Sequence, residues 1–432
     1  MARTTSKPLG ASATVAPVQC GHPRRWLLLA ILFLVGTSSA TDRVVISVLL
    51  DPIKREFGVS DTQLGLLSGM SFALLYSVLG LPIARWADRG DRRWLITIAL
   101  SVWSGMTVAC AAATGFWQLL IARIGVGAGE AGATPPAQAL LVDYFPADFR
   151  ARAIAIFATS GTVGYLLGLT VGSQLVSHFG WRETLVAFGL PGFLIAALAY
   201  GFLDEPRRTR SATQANTTED LRTSLRRLAA KPAFVRLLFG LTIYNFAAYG
   251  ALLFVPTYLT RVLGVPVRDV GLLYGLTTAL GVLLGSVAGG WLCDALVRRD
   301  KRWIAWFPAA GFALATVPDS LMFLSDDFSS FLWLSLFGGM LLNAALPAAF
   351  AAVHAVCGNA RRATAIALVL FSGNLLGFGL GPTVTGLLSD MWSSHIGVDG
   401  LRYAVLAVMA LTLPTAAVMY SAARALPADI EA

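Results

Sequence analysis

The sequence is poor in charged residues and in histidine. Asp, Glu, Lys and Arg make up 13% of its 432 residues, against about a quarter in a typical soluble domain. The four histidines are dispersed, and no G-x-S-x-G, H-E-x-x-H or Walker sequence occurs. These absences argue against an intramembrane hydrolase, a zinc peptidase and an ATP-driven pump on this chain.

Cysteine is also scarce, and its spacing is uninformative. The four cysteines show no C-x-x-C pair and no metal-ligand spacing: Cys20, Cys110, Cys293 and Cys357. We therefore expect no disulfide, no metal site and no cofactor.

Hydrophobic residues, by contrast, make up 56% of the chain, and the mean hydropathy is +0.68. A membrane-spanning helix needs roughly 20 mostly apolar residues, and helices satisfy their own backbone hydrogen bonds in lipid. The sequence therefore predicts an all-α polytopic membrane protein with twelve spans. Numbered 1 to 12, they cover 26–50, 60–84, 94–113, 116–142, 150–177, 182–203, 233–262, 270–297, 303–323, 329–356, 362–389 and 400–423.

The net charge of +9 reflects membrane topology rather than nucleic-acid binding. The termini and the even-numbered connections hold 25 of the 33 Lys and Arg residues. By the positive-inside rule, we expect both termini in the cytoplasm and a multi-pass protein of the cell inner (plasma) membrane. Residues 1–23 would form a cytoplasmic tail. Arg24, Arg25 and the run 36–40 loosely imitate a cleavable signal, but the apolar span continues past them, so we expect it to stay uncleaved.

Two bundles of six helices are predicted, at 24–203 and 233–423, with a C-terminal tail at 424–432. The segment 204–232 is the only long polar insertion. Within it, leucines at helical spacing among arginines indicate an amphipathic helix on the cytoplasmic face. A disordered linker with incidental leucines is the alternative.

The halves repeat a motif at the connection that follows their second span. Asp88 is followed by Arg89, Arg92 and Arg93, and Asp294 lies at the corresponding place in the second half. Such a repeat indicates duplication of a six-helix unit.

This motif resembles the loop signature G-x-L-A-D-R-x-G-R-R of the major facilitator superfamily. Asp88, Arg89, Arg92 and Arg93 match it, while Ala84, Trp86 and Asp91 depart from it. The resemblance implies two six-helix bundles that rock around a shared cleft. An acid at a helix end can pair with arginines or helix N-termini, so we expect conformational gating by these residues and Asp294. Topology-setting charge alone is the alternative.

A closer resemblance, over residues 40–206, is to the Spinster-like subgroup. It rests on Thr41-Asp42-Arg43, on 51–57 and 60–65, on Gly80-Leu81-Pro82, on 125–132, on Gly180-Trp181-Arg182 and on Glu205-Pro206. Animal members of that group export sphingosine-1-phosphate or carry lysophospholipids. The resemblance therefore implies an amphiphilic or lipid substrate.

Charges inside spans 1 and 4 are the candidates for coupling. At ~1.5 Å per residue, Asp42 lies ~12 Å and Arg123 ~10 Å from the outer ends of their helices, so the two share a depth. Glu130 lies on the same face as Arg123. Burial favours a neutral carboxylic acid and a nearby arginine favours the carboxylate, so Asp42 and Glu130 are predicted to carry a coupling proton, with Arg123 as the switching counter-ion. A fixed network joining helices is the alternative.

The predicted substrate contacts are Arg43, Arg123, Tyr244, Asn245, Tyr249, Asn343 and Asn374. A charged half facing a mostly apolar, aromatic half suits an amphiphile. The leading hypothesis is a proton-driven secondary transporter of a lysolipid or similar amphiphile that works as a monomer, with protons and membrane lipids as its other partners. An exporter of drugs or small organic anions is the second, and an intramembrane enzyme or a non-transporting receptor would be of another class.

Overall fold

The computed structural model describes residues 22–205, 221–300 and 302–429. Within these ranges the chain is built from helices joined by short turns, without a strand. Eleven helices in this part of the chain are long and apolar enough to cross a membrane. The all-helical membrane class predicted from the sequence is confirmed.

In the first half, most spans are single helices. Spans 1, 3, 5 and 6 are His22–Phe57, Arg92–Ala111, Ala147–Phe179 and Trp181–Phe202. Span 2 consists of Asp61–Gly65, a π-helical turn at Leu66–Met70 and the helix Ser71–Arg89. Span 1 continues through Pro52, beyond its expected end at residue 50, and so carries further charged residues on the same rod.

Span 4 is broken, although the sequence analysis treated 116–142 as one helix. It consists of Phe116–Glu130 and Thr134–Tyr144, joined by a three-residue turn. Two prolines, Pro135 and Pro136, follow the turn. Proline has no N–H and clashes with the preceding helical turn, so a helix begins there more readily than it continues. Each piece is shorter than a bilayer-crossing helix, which accounts for eleven long helices rather than twelve.

The second half repeats the plan with more interruptions. Span 7 is Pro232–Leu252 with Val255–Arg261, and span 9 is Trp303–Leu324. Span 8 is Val267–Asp269, a π-helical turn at Val270–Tyr274 and Gly275–Val297. Spans 10 and 11 form Phe328–Ser372, interrupted at Gly358, and continue through a π-helical turn at Gly373–Leu380 to Gly381–Ile396. Span 12 is Asp399–Met409 and Thr412–Asp429, so helix extends into the expected tail.

Ion pairs between span ends define two ends of the bundle. Arg24 pairs with Asp204 at 2.6 Å, which places the start of span 1 beside the end of span 6. Arg182 pairs with Glu56 at 2.6 Å, which places the start of span 6 beside the end of span 1. We call the end with residues 24 and 204 the proximal end and the opposite one the distal end. Successive spans therefore run in alternating directions.

Among the described residues, the halves approach each other most extensively at three pairs of spans, namely 1 with 7, 2 with 11 and 5 with 8. The approach is close enough to require glycine. A Cβ on Gly69 would lie 2.6 Å from the backbone oxygen of Phe378, and one on Gly271 would overlap Ser173. Both glycines belong to π-helical turns, which occur at equivalent places in spans 2 and 8. Small residues and irregular turns thus form the seam between the bundles.

The segment 204–232 contains the helix Leu221–Ala229. Its buried face includes Ser224 and Leu228, and Leu228 packs in the core of the second half with Phe234 and Val356. The opposite, exposed face carries Arg222, Arg226 and Arg227. The linker helix is therefore docked at the proximal end of the second bundle.

Candidate functional site

A buried ion pair joins spans 1 and 4. Arg43 donates from Nε to Oε2 of Glu130 at 2.8 Å, and the hydroxyl of Ser39 donates to the same oxygen at 2.7 Å. The Glu130 side chain is fully buried, whereas that of Arg43 is 23% exposed. The other Glu130 oxygen, Oε1, has no hydrogen-bond partner. The pair thus exposes part of its arginine and buries its carboxylate completely.

Asp42 and Arg123 lie beside this pair and are both almost fully buried. Arg123 donates from Nη1 to the backbone oxygen of Asp42 at 3.4 Å, and its Nε and Nη2 have no partner. Oδ1 of Asp42 is also without a hydrogen bond. Arg123 thus reaches Asp42, but it contacts the backbone of that residue and not its carboxylate. The ion pair that forms is the one between Arg43 and Glu130.

Aromatic rings of span 2 cover the two arginines. The Arg43 guanidinium carbon lies 4.8 Å from the ring centre of Phe72 and 4.5 Å from that of Tyr76. The corresponding carbon of Arg123 lies 5.9 Å from the ring centre of Phe72. At these distances a cation over a ring is stabilised by about 0.5–2 kcal/mol. Span 2 therefore supplies the rings that pack against Arg43.

Tyr249 brings span 7 of the second half to this site. Its ring centre lies 4.9 Å from that of Phe378, which lies 5.4 Å from that of Phe72 in the first half. Its phenol interacts electrostatically with Arg43 and Tyr76. Tyr244, one and a half turns earlier on span 7, interacts with Tyr249 and packs on Phe312 with ring centres 4.9 Å apart. The predicted tyrosine contacts thus form a row that leads away from Arg43.

The three predicted asparagine contacts do not converge on the site. Asn245, Asn343 and Asn374 each donate to the carbonyl four residues earlier in their own helix, at 2.7, 2.8 and 2.8 Å. Asn245 also packs against Gly377 of span 11. Amides inside lipid are costly unless bonded, and their own helices provide acceptors here.

The residues predicted to gate fall into different surroundings. Arg92 is buried and donates to Asp143 at 2.7 Å and to Glu205 at 2.6 Å, so it ties together spans 3, 4 and 6 of the first half. Arg93 lies over the ring of Tyr200 at 4.4 Å. Asp294 is exposed at the proximal end of span 8. Asp88 and Arg89 are in the last turn of their helix, and their side chains lie outside the described part of the structure.

A second ion cluster, at the distal end, was missed by the sequence analysis. Arg261 of span 7 donates to Asp51 at 2.8 Å and to both oxygens of Asp61 at 3.0 and 2.8 Å. Lys54 and Ser389 also bond Asp61, at 2.6 and 2.7 Å. We call these five residues the distal clamp. It joins span ends of both halves.

Asp390 strengthens the same contact by capping a helix of the opposite half. Its carboxylate accepts from the backbone N–H groups of Asp61 and Thr62 at 2.9 and 2.8 Å and from the Thr62 hydroxyl at 2.6 Å. A carboxylate is favoured at a helix N-terminus, where N–H groups lack partners. Pairs of this kind are invisible in sequence because they depend on which helices of the two halves meet.

Known proteins resemble this arrangement along nearly the whole chain. A sequence model of the Major Facilitator Superfamily matches residues 32–318. The chain is 31% identical over 417 residues to an MFS-type efflux pump of Mycolicibacterium smegmatis, with 96% of each protein covered. It is 28% identical over 402 residues to protein spinster homolog 1 of Xenopus laevis, covering 85% of this chain and 74% of that protein.

The chain belongs to the major facilitator superfamily. Its fold and family are those of membrane transporters, which are not enzymes. The predicted similarity to Spinster proteins is likewise confirmed.

Solved transporter structures share the fold. A bacterial homolog of the human lysosomal transporter Spinster, in an inward-facing and unoccupied conformation, superposes with a TM-score of 0.88 at 31% identity, covering 96% of this chain and all (100%) of that one. A D-xylose–proton symporter shows the same fold with a TM-score of 0.68 at 18% identity, covering 91% of this chain and 97% of that one. This chain is therefore a transporter of the major facilitator superfamily with the fold of its relatives.

Proposed function

We propose that this transporter is a proton-coupled secondary carrier that moves a lysolipid or similar amphiphile by alternating access. The observation that carries the proposal is the Arg43–Glu130 pair beside Asp42 and Arg123, which have unpartnered polar atoms. Two acids and two arginines in one membrane-embedded cluster can exchange partners as the bundles move. Ionisable groups at such depth are costly and mark ion or proton pathways.

The proton step follows from the pairing. In this conformation Arg43 stabilises Glu130 as a carboxylate, while Asp42 lacks a partner on Oδ1 and is best accommodated as the neutral acid. A movement that transfers an arginine from Glu130 to Asp42 reverses the two charge states. Arg123 is placed for this role because its Nε and Nη2 have no partner. Arginine itself keeps its charge throughout.

Alternating access is supported by where the halves are joined. The distal clamp and the Asp390 cap hold the bundles together at one end. Two solved structures of a bacterial Spinster homolog are inward-facing, one unoccupied and one occupied. We assign the proximal end to the cytoplasm from the distribution of Lys and Arg. This assignment puts both termini in the cytoplasm and the protein in the inner membrane. We further propose that it works as a monomer.

The substrate class rests on the chemistry of the two faces. Arg43, 23% exposed and flanked by Phe72 and Tyr76, offers a cation for an anionic head group. The facing part of the second half offers Tyr249 and Phe378, which suit a hydrocarbon tail. The similarity to spinster homologs points the same way.

A second candidate is export of drugs or small organic anions. It is favoured by the relative in Mycolicibacterium smegmatis that is described as an MFS-type efflux pump. The same arginine and aromatic rings would bind an aromatic anion.

Flux through proteoliposomes separates these functions. The purified full chain would be reconstituted, a pH gradient imposed, and uptake measured for zwitterionic lysophosphatidylcholine, anionic lysophosphatidylglycerol, hydrophilic organic anions and a cationic dye. We expect gradient-driven flux of the lysolipids, abolished by a protonophore. Flux of only the dye or the hydrophilic anions would favour the second candidate, and lysolipid flux indifferent to the protonophore would contradict proton coupling.

A further inference from the structure

Asp319 is a membrane-embedded acid that neither the sequence analysis nor the proposed site uses. It lies on span 9, five residues before the end of that helix at Leu324, or about 8 Å from it at ~1.5 Å per residue. Its relative exposure is 2%. A lone carboxyl at such a position is expensive to bury in lipid, so its presence requires a reason.

The surroundings of Asp319 provide no counter-ion. Its Oδ2 is buried without a hydrogen-bond partner. Among the described residues, the buried acid Asp61 has basic partners and Glu130 has Arg43, whereas no described cation interacts with Asp319. An unpaired charge in such a place is unstable, so Asp319 is the neutral acid in this conformation.

The packing around Asp319 is specific to its carboxyl group. Gly338 of span 10 faces it so closely that a Cβ at this glycine would overlap Oδ1 of Asp319. Among the described residues, the titratable groups on which the charge of Asp319 acts are the phenols of Tyr244 on span 7 and Tyr274 on span 8. On span 12, the hydroxyl of Thr412 bonds Thr316 at 2.9 Å and is therefore occupied. Asp319 is thus coupled electrostatically to two phenols.

Both tyrosines also interact with residues at the seam between the halves. Tyr244 interacts with Tyr249, which interacts with Arg43 in the first half. Tyr274 lies in the π-helical turn of span 8 and meets Tyr165 of span 5, also in the first half. A rocking movement at the seam therefore changes the surroundings of both tyrosines, and through them the polarity around Asp319.

We propose that Asp319 is a second proton-binding site, located in the second bundle, which holds its proton while the distal end is closed and releases it when the bundles part there. This inference rests on the proposed proton coupling and extends it from one bundle to both. The proton leaves Asp319 as its carboxylate gains water and returns when the distal clamp re-forms. No other reactant is needed.

The direct test is infrared difference spectroscopy of the purified full chain across a pH titration. We expect a C=O stretch of a protonated carboxylic acid in the wild type that Asp319→Asn removes. Asp326→Asn is the matched control, because Asp326 lies beyond the end of the same helix, is 83% exposed and pairs with Arg402. The proposal is overturned if Asp319→Asn removes no protonated-acid band. It is also overturned if the Asp319 band of the wild type persists at every pH and in every condition of transport.

The transport test uses lysophosphatidylcholine in proteoliposomes. With Asp319→Asn, which mimics the permanently protonated acid, we expect proton-driven flux to fall by at least about tenfold while counterflow without a gradient persists. Asp326→Asn should leave both unchanged. Unaltered driven flux in a folded Asp319→Asn protein would overturn the second site.

Gly338→Ala keeps the proposal testable if Asp319→Asn does not fold. The added Cβ displaces the carboxyl without removing it, so the pH dependence of driven flux should shift. Gly339→Ala, next along the helix, should not shift it, because a Cβ there meets only the Cα of Gly281, at an ordinary contact distance of 4.0 Å. An equal pH profile for both variants would count against the site. If the wild type itself shows no proton-driven flux, the proposed function fails, and the infrared titration still decides whether Asp319 exchanges a proton.

Discussion

Arg261 of the second half donates from Nη1 to both carboxylate oxygens of Asp61 in the first half, at 3.0 and 2.8 Å. Asp61 is 1% exposed in its side chain and Arg261 is 19% exposed. A charged pair so well shielded is worth more than one on an open surface. Because Arg261 and Asp61 belong to different bundles, the free energy of their interaction favours the conformation in which the distal end is closed.

Arg261→Gln should open the distal end. Asp61 keeps Lys54 and Ser389, so we expect a loss of about 2 kcal/mol for the closed arrangement, or about 30-fold in the population ratio. Spin labels at Thr114 and Ser329, on exposed distal turns of the two halves, would report the change as a longer distance.

The control for this measurement is Arg268→Gln. Arg268 lies at the same end but is 63% exposed and pairs with its own neighbour Asp269. Its replacement should leave the label distance unchanged. Identical distance distributions for the Arg261 variant and the wild type would show that the clamp does not set the equilibrium.

Glu130→Gln should uncouple transport from the proton gradient. The amide can still accept from Ser39 and Arg43 but cannot bind and release a proton. We expect driven flux of lysophosphatidylcholine to fall by about tenfold or more, with counterflow retained. Asp42→Asn should behave alike, and the exposed acid Glu183→Gln serves as the control. Full coupled flux in both Glu130 and Asp42 variants would end the relay hypothesis.

Arg92→Gln should destabilise the first bundle. The side chain is 1% exposed and bonds both Glu205 and Asp143, so the substitution removes the buried cation that these two acids share. We expect a cost of about 3–5 kcal/mol, seen as a lower thermal unfolding temperature in detergent. Arg93→Gln, whose side chain contacts the ring of Tyr200 among the described residues, should cost at most about 1 kcal/mol. Equal stabilities of the two variants would contradict the assignment of Arg92 as a tie between spans.

Gly69→Ala should also disfavour the closed distal end. Its Cβ would lie 2.6 Å from the backbone oxygen of Phe378, so the halves must separate to admit it. We expect about 1–3 kcal/mol against this conformation, measured with the same pair of spin labels. Gly80→Ala on the same span meets nothing within 4 Å and should be neutral or slightly stabilising. If Gly80→Ala changed the label distance as much as Gly69→Ala does, the steric argument would be contradicted.

The spans were predictable because their signal is local. Apolar runs of sufficient length, interrupted by basic clusters, define them, and charge inside spans 1 and 4 marks the candidate site. The break in span 4 had a local signal too, in Pro135 and Pro136. Its place after Glu130 nevertheless depends on how the small residues of that span pack.

The pairing of the charges was beyond the sequence. Helical rise gives Asp42 and Arg123 the same depth, but the direction and reach of an arginine decide that Arg43 bonds Glu130. Arg261 resembled any basic residue near a span end, since its acidic partners lie some two hundred residues away in the chain. In the sequence, Asp319 is a single acidic residue near the end of an apolar run. Its lack of a described cationic partner depends on how the helices of the bundle pack.

The three-residue turn after Glu130 gives span 4 a joint at the residue that carries the charge. The peptide dipoles of Phe116–Glu130 present their negative end there, so a carboxylate at this spot is tolerated only while a guanidinium offsets it. A swivel of one short segment about the joint would therefore be enough to make Glu130 lose that balance and take up a proton. The trigger for rocking two large bundles can thus be as small as a bend in a single helix.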